Sequence, residues 1–428
     1  MGPVSFKGIG KDLLCRQLEK QVRQLRKKND FVVVAVAGSV GKTSTKLAIA
    51  KTLGASRRVL WQEGNYNDRL TVPLIFFGQQ QPGLYNPFVW RKILRENSRR
   101  LKKPYPYDVV VVELGTDAPG QLKRFAYLEP DITVLTAIAD EHMSQFESLK
   151  AVAEEELVPL DYSKLSLLNT DDIPLKYMPK SSHTSYGLLT DADYRVMSRQ
   201  DRSLQGQKLT IRLPGDKQLD TEVAAPGSQG AKIALAAVAV ADMLGLSPTE
   251  IKKGLRAITP VAGRMQILAG KEGSLIIDDT YNASPVAVEA ALDVLYGTDA
   301  KQRIAILGSM NELGTDSARL HSEVGGYCNP AKLDLVVTIG REAAENLAPV
   351  AKNQGCEVQT FMNPYEAGEC VRHHLKQGTV VLAKGSQNGV FAEEAIKVLL
   401  ANSSQERKLV RQSAYWLKRK KAHFPTNT

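Results

Sequence analysis

The sequence contains few cysteines and no long apolar run. Its four cysteines, Cys15, Cys328, Cys356 and Cys370, do not form a Cys-x-x-Cys pair. This spacing argues against a zinc ribbon and favours reduced thiols that fill core or surface positions. No apolar stretch approaches the roughly 20 residues of a membrane span, and the first residues lack the hydrophobic segment of a secretion signal. We therefore expect a cytoplasmic protein.

The main body of the chain also lacks an excess of charge of either sign. The net charge is +10, but residues 1–30 contribute +5 and residues 406–428 contribute +6. The rest of the chain holds 41 basic and 42 acidic residues. We therefore expect no nucleic-acid partner, because a polyanion is bound by a basic surface on the folded body. With 428 residues, of which 43% are hydrophobic, the chain can form two or three domains with buried cores.

Basic segments with apolar residues at helical spacing occupy both ends of the chain. Residues 9–27 have this pattern and predict an amphipathic helix within an N-terminal segment over 1–30. Residues 406–424 have a similar pattern and predict a basic C-terminal helix or tail over 406–428. Such helices pack on the neighbouring domain as solvated helices or lie on an anionic membrane surface, and both alternatives stay open.

The most informative stretch is residues 31–45, where an apolar strand leads through a glycine-bounded turn into a helix. Backbone N–H groups of such a turn, together with the helix N-terminus, suit a bound phosphate. Lys42 is placed to reach the terminal phosphates, and the Thr43 hydroxyl to hold Mg²⁺. Val36 stands where the general P-loop pattern has its first glycine, so the match is to a shorter form. The predicted nucleotide-binding residues of this loop are Gly38, Ser39, Val40, Gly41, Lys42, Thr43 and Ser44.

Strands alternate with helices beyond this loop, as in a parallel sheet covered by helices. Residues 183–224 change to short alternating runs, which predict an antiparallel appendage. A proline and glycine pair near 259–264 marks a linker, and a second βα series follows it. The predicted fold class is α/β. It consists of a central P-loop domain over 31–262, with a parallel sheet and a small antiparallel appendage, and a Rossmann-like C-terminal domain over 263–405.

Three further segments place chemically active side chains after predicted strands. Glu113 ends a valine-rich strand, His142 follows the next strand, and Asp279 and Tyr281 follow the first strand of the second series. Ligands of open α/β sheets bind where parallel strands end, and a carboxylate there can hold Mg²⁺ beside a phosphate. Alternatives are a surface or core role for His142 and a helix N-cap for the paired acids at 278–279. Together these residues predict an ATP-using enzyme with its site between two α/β domains.

A set of motifs in a fixed order resembles the Mur ligases, most closely the MurF type. The resemblance spans about residues 31–400 and implies ligation of D-alanyl-D-alanine to a UDP-linked muramoyl tripeptide in peptidoglycan synthesis. The motifs are GSVGKTST at 38–45, EGNYN at 63–67, VP at 72–73, ELG at 113–115, His142, NTDD at 169–172, GR at 263–264, DTYNA at 279–283, MNELG at 310–314 and KGS at 384–386.

The resemblance implies an ADP-forming carboxylate-amine ligase that works through an acyl phosphate. Lys42 would stabilise the transferred phosphoryl group, as a positioned cation does. Thr43 and Glu113 would hold one Mg²⁺, and His142 a second. Arg264 would contact the γ-phosphate. The remaining residues carried over from the family are Asp279 and Tyr281 for the nucleotide, and Asn65, Asn67, Lys384 and Ser386 for the substrates.

Glu156 marks a departure from the family pattern. Mur ligases commonly carry a carbamylated lysine 14 positions after the metal-binding histidine, and Glu156 occupies that position here. A glutamate offers the same charge on a shorter stem, so we predict a catalytic role for Glu156 beside the metal. Glu154 and Glu155 compete for this role, and a solvated acidic helix face is the alternative.

Other departures concern the substrates. Gln229 and Ile233 replace a histidine and the asparagine that commonly reads adenine in the family. Ser309 and Gln387 replace an aspartate and an arginine of the C-terminal motifs. About thirty residues precede the loop strand, where MurF enzymes typically have a UDP-sugar-binding domain. Either the central domain holds the acceptor, or the acceptor is not a UDP-muramoyl peptide.

Three functions remain open at this point. The first is a MurF-like ligase that acts as a monomer on a muramoyl-peptide precursor and D-Ala-D-Ala or another amine, with ATP and Mg²⁺. The second is an amide ligase for a different acidic acceptor. The third is a nucleotide-binding Mur-like scaffold without ligase activity.

Overall fold

Two β-sheets divide the chain near residue 265, and parallel strands form most of both. Valine, isoleucine and leucine dominate the central strands, as expected for strands covered on both faces. The computed structural model describes residues 6–62, 64, 66–82, 86–140, 143 and 145–424.

In the described residues, the first sheet has nine strands in the order β2-β3-β1-β4-β5-β6-β7-β8-β9. Pairing is parallel as far as β7, whereas β8 and β9 form antiparallel pairs. The predicted antiparallel appendage is thus a continuation of the main sheet. The strands are β1 (Val32–Ala37), β2 (Val59–Leu60), β3 (Val109–Glu113), β4 (Ile132–Leu135), β5 (Leu165–Asn169), β6 (Thr184–Gly187), β7 (Tyr194–Asp201), β8 (Gln207–Leu213) and β9 (Lys217–Val223).

Helices cover both faces of this sheet. The glycine turn leads into α2, whose apolar residues pack together with β1, β3 and α6. A 3₁₀ helix over Leu122–Leu128 follows β3. The α-helices are α1 (Phe6–Lys28), α2 (Lys42–Leu53), α3 (Val72–Ile75), α4 (Pro87–Arg100), α5 (Leu149–Leu157), α6 (Gly227–Met243) and α7 (Pro248–Leu255).

The second sheet has six described strands in the order β10-β11-β15-β12-β13-β14, and only β10 is antiparallel. The strands are β10 (Gln266–Ala269), β11 (Leu275–Asp279), β12 (Gln302–Gly308), β13 (Leu335–Ile339), β14 (Val358–Phe361) and β15 (Thr379–Lys384). The helices are α8 (Pro285–Gly297), α9 (Ser317–Tyr327), α10 (Ala348–Asn353), α11 (Pro364–His374), α12 (Glu393–Leu399) and α13 (Ala414–His423).

Both basic ends pack on the sheet nearest to them. The apolar side of α1 is buried through Leu18, Val22 and Leu25. In the segment predicted as a basic helix or tail over 406–428, Arg411 adopts a positive φ of 56° and α13 begins at residue 414. Among the described residues, no helix combines the length and the apolar character needed to cross a membrane.

Candidate nucleotide site between the two sheets

The glycine-bounded turn between β1 and α2 has the backbone that its sequence predicts. Gly38 and Gly41 have φ values of 119° and 85°, which disfavour other residues. A Cβ at Gly38 would also lie 2.8 Å from the backbone nitrogen of Ala137. The Ser39 N–H donates to the Ala137 carbonyl at 2.9 Å. In contrast to the prediction, this N–H group therefore does not point at a phosphate.

A cavity of about 450 Å³ lies between this turn and the second sheet. Both halves of the chain contribute to its wall, as the sequence predicted for a site between two α/β domains. The predicted site residues in the wall are Ser39, Val40, Gly41, Lys42, Thr43, Ser44, Asn67, Glu113, Arg264, Asp279, Tyr281 and Lys384.

Glu113 ends β3 at this cavity and is almost completely buried. Its Oε2 lies 3.3 Å from Nζ of Lys46, and its Oε1 accepts a hydrogen bond from Asn67 at 3.3 Å. Burial acts to raise the pKa of Glu113, but the positive charges of Lys46, Lys42 and Arg264 outweigh it and lower the pKa. The carboxylate is therefore held in its charged form.

Arg264 joins the linker to the P-loop. Its Nη2 donates to Oγ1 of Thr43 at 3.1 Å, and its guanidinium lies 4.1 Å from the ring centroid of Tyr281. Gly263 reaches this position with a φ of 66°, and its N–H donates to the buried carboxylate of Asp278. The linker thus brings a cation to the first turn of α2.

Asp279 and Lys384 form an ion pair in the cavity wall. Lys384 Nζ lies 2.5 Å from Oδ2 of Asp279 and also donates to the Asn282 carbonyl at 3.1 Å. The adjacent strands β11 and β15 place the two residues opposite each other in register. Lys384, predicted to bind substrate, therefore faces the cavity as the partner of Asp279.

The three acidic residues on α5 have different environments. Glu154 is exposed and pairs with Lys150 on its own helix. Glu155 accepts from the N–H groups of Gly120 and Leu122 at 2.6 Å, which satisfies the start of the 3₁₀ helix. Glu156 is buried, and its Oε2 accepts from the Gly38 N–H at 2.7 Å. The solvated-face alternative for Glu156 is therefore wrong, and Glu156 contacts the P-loop backbone directly.

Two predicted residues, Asn65 and His142, lie outside the described residues. Their neighbours are described. Lys46 Nζ donates to the Gly64 carbonyl at 3.3 Å, and the Met143 N–H donates to the Glu312 carbonyl at 3.0 Å. The second of these contacts joins the segment after β4 to the loop after β12.

Ser386 does not line the cavity, in contrast to its predicted contact with substrate. Its side chain is fully buried, and its Oγ accepts from the Asn311 N–H and donates to the Ala283 carbonyl. We assign it to the support of the loop around Asn311. Ser309 is likewise used internally, since its Oγ accepts from the Ala343 N–H. Gln387, which follows Ser386, does line the cavity.

The side of the cavity formed with α6 and α8 is largely apolar. The residues that line the cavity include Gln229 and Ile233 on α6, Val294 on α8, and Ile258 and Val261 before the linker residue Gly263. Such a surface suits the flat face of a nucleobase. Ile233 can offer contact to a base but no hydrogen bond, so Gln229 is the polar side chain available on this part of α6.

The residues at the start of α2 fit a magnesium ion. Mg²⁺ prefers oxygen ligands and is commonly held by one or two protein oxygens together with substrate phosphates. Oε2 of Glu113 is buried and, beside its ion pair with Lys46 at 3.3 Å, accepts no hydrogen bond from the described residues. Thr43 and Glu113 both line the cavity. Among the described residues, no group of three His, Cys, Asp or Glu side chains forms a metal site without phosphate.

Sequence reasoning missed Lys46, which lies one helical turn after Lys42. Its side chain is 1% exposed and paired with Glu113. A lysine directly before the apolar residues Leu47–Ala50 of α2 was the available signal, because buried lysines are almost always paired. Asn311 was also missed. Its Nδ2 donates to the Gln387 and Asn388 carbonyls and thereby shapes the far wall of the cavity.

Comparisons with known proteins agree with the two-part architecture. The model of the Mur ligase middle domain matches residues 36–241, and that of the Mur ligase glutamate ligase domain matches residues 263–387. A UDP-N-acetylmuramoyl-tripeptide D-alanyl-D-alanine ligase of Haemophilus influenzae is 30% identical over 387 residues, covering 87% of this chain and 77% of the relative. The Bacillus subtilis enzyme of the same name is 28% identical and covers 86% and 76%.

Solved structures share the fold. MurF of Acinetobacter baumannii has a TM-score of 0.73 at 22% identity, covering 89% of this chain and 79% of that one. MurF of Thermotoga maritima in complex with ADP has a TM-score of 0.72 at 22% identity, covering 95% and 84%. The family models together match most of the chain, and the second match begins at Gly263, directly before Arg264. The chain therefore belongs to the Mur ligase family, with relatives of the MurF type.

Proposed function

We propose that the protein is an ATP-dependent, ADP-forming carboxylate-amine ligase that adds D-Ala-D-Ala to a muramoyl-peptide precursor. The observation that carries this proposal is the cavity between the two sheets. It combines Lys42, Thr43 and Glu113 of the first half with Arg264 and Asp279 of the second. The names of the relatives support the choice of acceptor and amine.

In the proposed reaction, a carboxylate oxygen of the acceptor attacks the γ-phosphorus of ATP. The bond to the β,γ-bridging oxygen breaks, ADP leaves, and an acyl phosphate forms. The amine nitrogen then attacks the acyl carbon, phosphate leaves, and the nitrogen loses a proton to give the amide. Lys42 and Arg264 stabilise negative charge on the transferred phosphoryl group, which is the main contribution a protein makes to such a transfer.

Glu113 and the Thr43 hydroxyl would hold Mg²⁺, which would neutralise phosphate charge when bound. Lys46 keeps the Glu113 carboxylate charged and oriented in a site that excludes most water. Asp279 orients Lys384, whose ammonium group lies on the second-sheet side of the cavity. Arg264 belongs to the second half of the chain, and it contacts Thr43 of the P-loop in the first half. Nucleotide binding at the P-loop is therefore coupled to the distance between the two halves.

The decisive experiment measures phosphate release from ATP with purified protein. We expect release only when a muramoyl tripeptide and D-Ala-D-Ala are both present, together with a product that contains the new amide. Release with neither substrate would contradict the proposal. Release with another acidic acceptor, but not with the muramoyl tripeptide, would identify the second alternative. ATP binding without turnover on a panel of acceptors would identify the scaffold.

A peripheral contact with an anionic membrane is a second proposal, and we place it at α13. On α1, Leu18, Val22 and Leu25 are buried, and Leu13 is 57% exposed. On α13, Tyr415 and Leu417 are 67% and 43% exposed beside Lys418 and Arg419. Basic residues next to exposed apolar side chains suit the surface of an anionic bilayer.

A further inference from the structure

The segment between α12 and α13 contacts the loop that carries Tyr281. Within it, Arg411 has a buried side chain that is 6% exposed. Its Nη1 donates to the Tyr281 carbonyl at 3.0 Å and its Nη2 to the Thr280 carbonyl at 2.6 Å. One guanidinium therefore holds two consecutive carbonyls of the loop that follows β11.

Glu393 at the start of α12 orients this guanidinium. Its two carboxylate oxygens accept from Nε and Nη2 of Arg411 at 2.7 and 2.6 Å. Glu393 is completely buried and also pairs with Lys420 of α13 at 2.7 Å. A two-point contact fixes the plane of the guanidinium as well as its position, which a single hydrogen bond cannot do.

The opposite side of the same loop contacts the nucleotide site. The Tyr281 N–H donates to the Gly263 carbonyl at 2.9 Å, and the Tyr281 ring packs against the guanidinium of Arg264. Arg264 in turn donates to Thr43. A continuous series of contacts thus runs from Glu393 through Arg411 and Tyr281 to the P-loop.

Val410, the neighbour of Arg411, packs against the linker at Gly263. A Cβ at Gly263 would lie 2.7 Å from Cγ1 of Val410 and 3.0 Å from the backbone nitrogen of Tyr281. The C-terminal segment therefore packs against the residue immediately before Arg264. It also lies beyond residue 387, where the match to the family models ends.

We propose that Arg411 is a positioning residue of the nucleotide site. It holds the carbonyls of Thr280 and Tyr281 so that the Tyr281 ring keeps Arg264 directed at Thr43 and at the terminal phosphates. This inference rests on the proposed use of ATP. It adds the segment around residues 409–411 to the structure that shapes the site.

The test compares Arg411→Lys with Lys397→Met in the full chain. Lysine keeps a positive charge beside Glu393, but its single ammonium group cannot reproduce the fork that holds both carbonyls. Lys397→Met removes a different ion pair of α12, the one with Glu394, and leaves Glu393 untouched. Arg411→Ala serves as a more severe variant, and the melting temperature of each protein is recorded.

We expect Arg411→Lys to raise the dissociation constant of a fluorescent ATP analogue about tenfold, and the KM for ATP in proportion. The KM for D-Ala-D-Ala should change much less, because Arg411 acts on the nucleotide side. Lys397→Met should leave nucleotide affinity within about twofold of the unchanged chain.

Two results would overturn this inference and leave the proposed function intact. One is unchanged nucleotide affinity in a folded Arg411→Lys protein, and the other is an equal loss of affinity in Lys397→Met. If the unchanged protein did not bind the ATP analogue, the proposed function would fail and this inference with it. The binding measurement on the unchanged chain therefore separates the two failures.

Discussion

Lys46 Nζ lies 3.3 Å from Oε2 of Glu113, and the two side chains are 1% and 3% exposed. Lys42, one helical turn earlier on α2, lines the cavity instead. The two lysines share a helix face but have different partners. We therefore expect loss of Lys46 to affect mainly stability and loss of Lys42 to affect mainly catalysis.

Lys46→Met should lower the free energy of unfolding by about 3–5 kcal/mol, because it leaves the buried Glu113 carboxylate without its cation. Urea denaturation measures this change. Lys51→Met on the same helix is the control, since Lys51 makes a solvent-exposed hydrogen bond to Thr259. A loss no larger than that of the control would show that the pair with Glu113 does not stabilise the fold.

Lys42→Met should reduce the rate of phosphate release at least about 100-fold, because a cation that faces the transferred phosphoryl group is removed. The free energy of unfolding should change by less than about 1 kcal/mol, as is usual for a residue at the edge of an open site. Turnover and urea denaturation are measured on the same preparation. A rate within a few-fold of the unchanged protein would exclude Lys42 from phosphoryl transfer.

Glu156→Ala should lower turnover without abolishing ATP binding, and should cost about 1–3 kcal/mol of stability because the Gly38 N–H loses its acceptor. Glu156→Gln retains an acceptor oxygen and should recover most of that stability. If Glu156→Gln also recovers turnover, the carboxylate charge is not needed. Glu154→Ala on the exposed side of α5 is the matched control and should change neither quantity.

Asp278→Asn should change the pH dependence of stability. Burial raises the pKa of Asp278 from 3.8 to about 6, against the opposing effect of hydrogen bonds from Thr280 and Gly263. The folded chain thus holds this proton more tightly than the unfolded chain. The associated stability is complete below about pH 4 and is lost as the pH rises through about 6.

Because asparagine does not titrate, the unfolding free energy of Asp278→Asn relative to the unchanged protein should rise by about 2–3 kcal/mol between about pH 4 and 7. Urea denaturation at a series of pH values measures this difference. The constant cost of replacing the carboxylate cancels in the comparison. Parallel pH profiles for the two proteins would contradict a raised pKa at Asp278.

The membrane proposal for α13 predicts sedimentation of the protein with vesicles that contain anionic lipid, weakening as salt is added. Tyr415→Ser with Leu417→Ser should reduce binding, since these two side chains are the exposed apolar residues of the helix. The control replaces the exposed Leu175 of the first half by serine. Binding that is equal in both variants, or missing at low salt, would remove the proposal.

The strands and the phosphate loop were predictable because their signals are local. A run of valines between turns predicts a buried strand, and Gly38 and Gly41 predict a backbone with positive φ. The predicted strands that end at Glu113 and lead into Asp279 both occur, as β3 and β11. The local pattern did not predict where the C-terminal helix begins, and Arg411, just before that helix, makes a buried contact with Glu393, 18 residues earlier.

The order of residues along the chain was sufficient to determine the phosphate loop, the two α/β halves and the resemblance to Mur ligases. Only the tertiary structure decided which side chains act together. Lys46 pairs with Glu113, Glu156 binds the P-loop backbone, Ser386 turns inward, and Arg411 holds the loop of Tyr281. The physical reason is that burial makes each ion and each hydrogen-bonding group depend on a partner, and these partners lie 67 to 130 residues apart in the sequence.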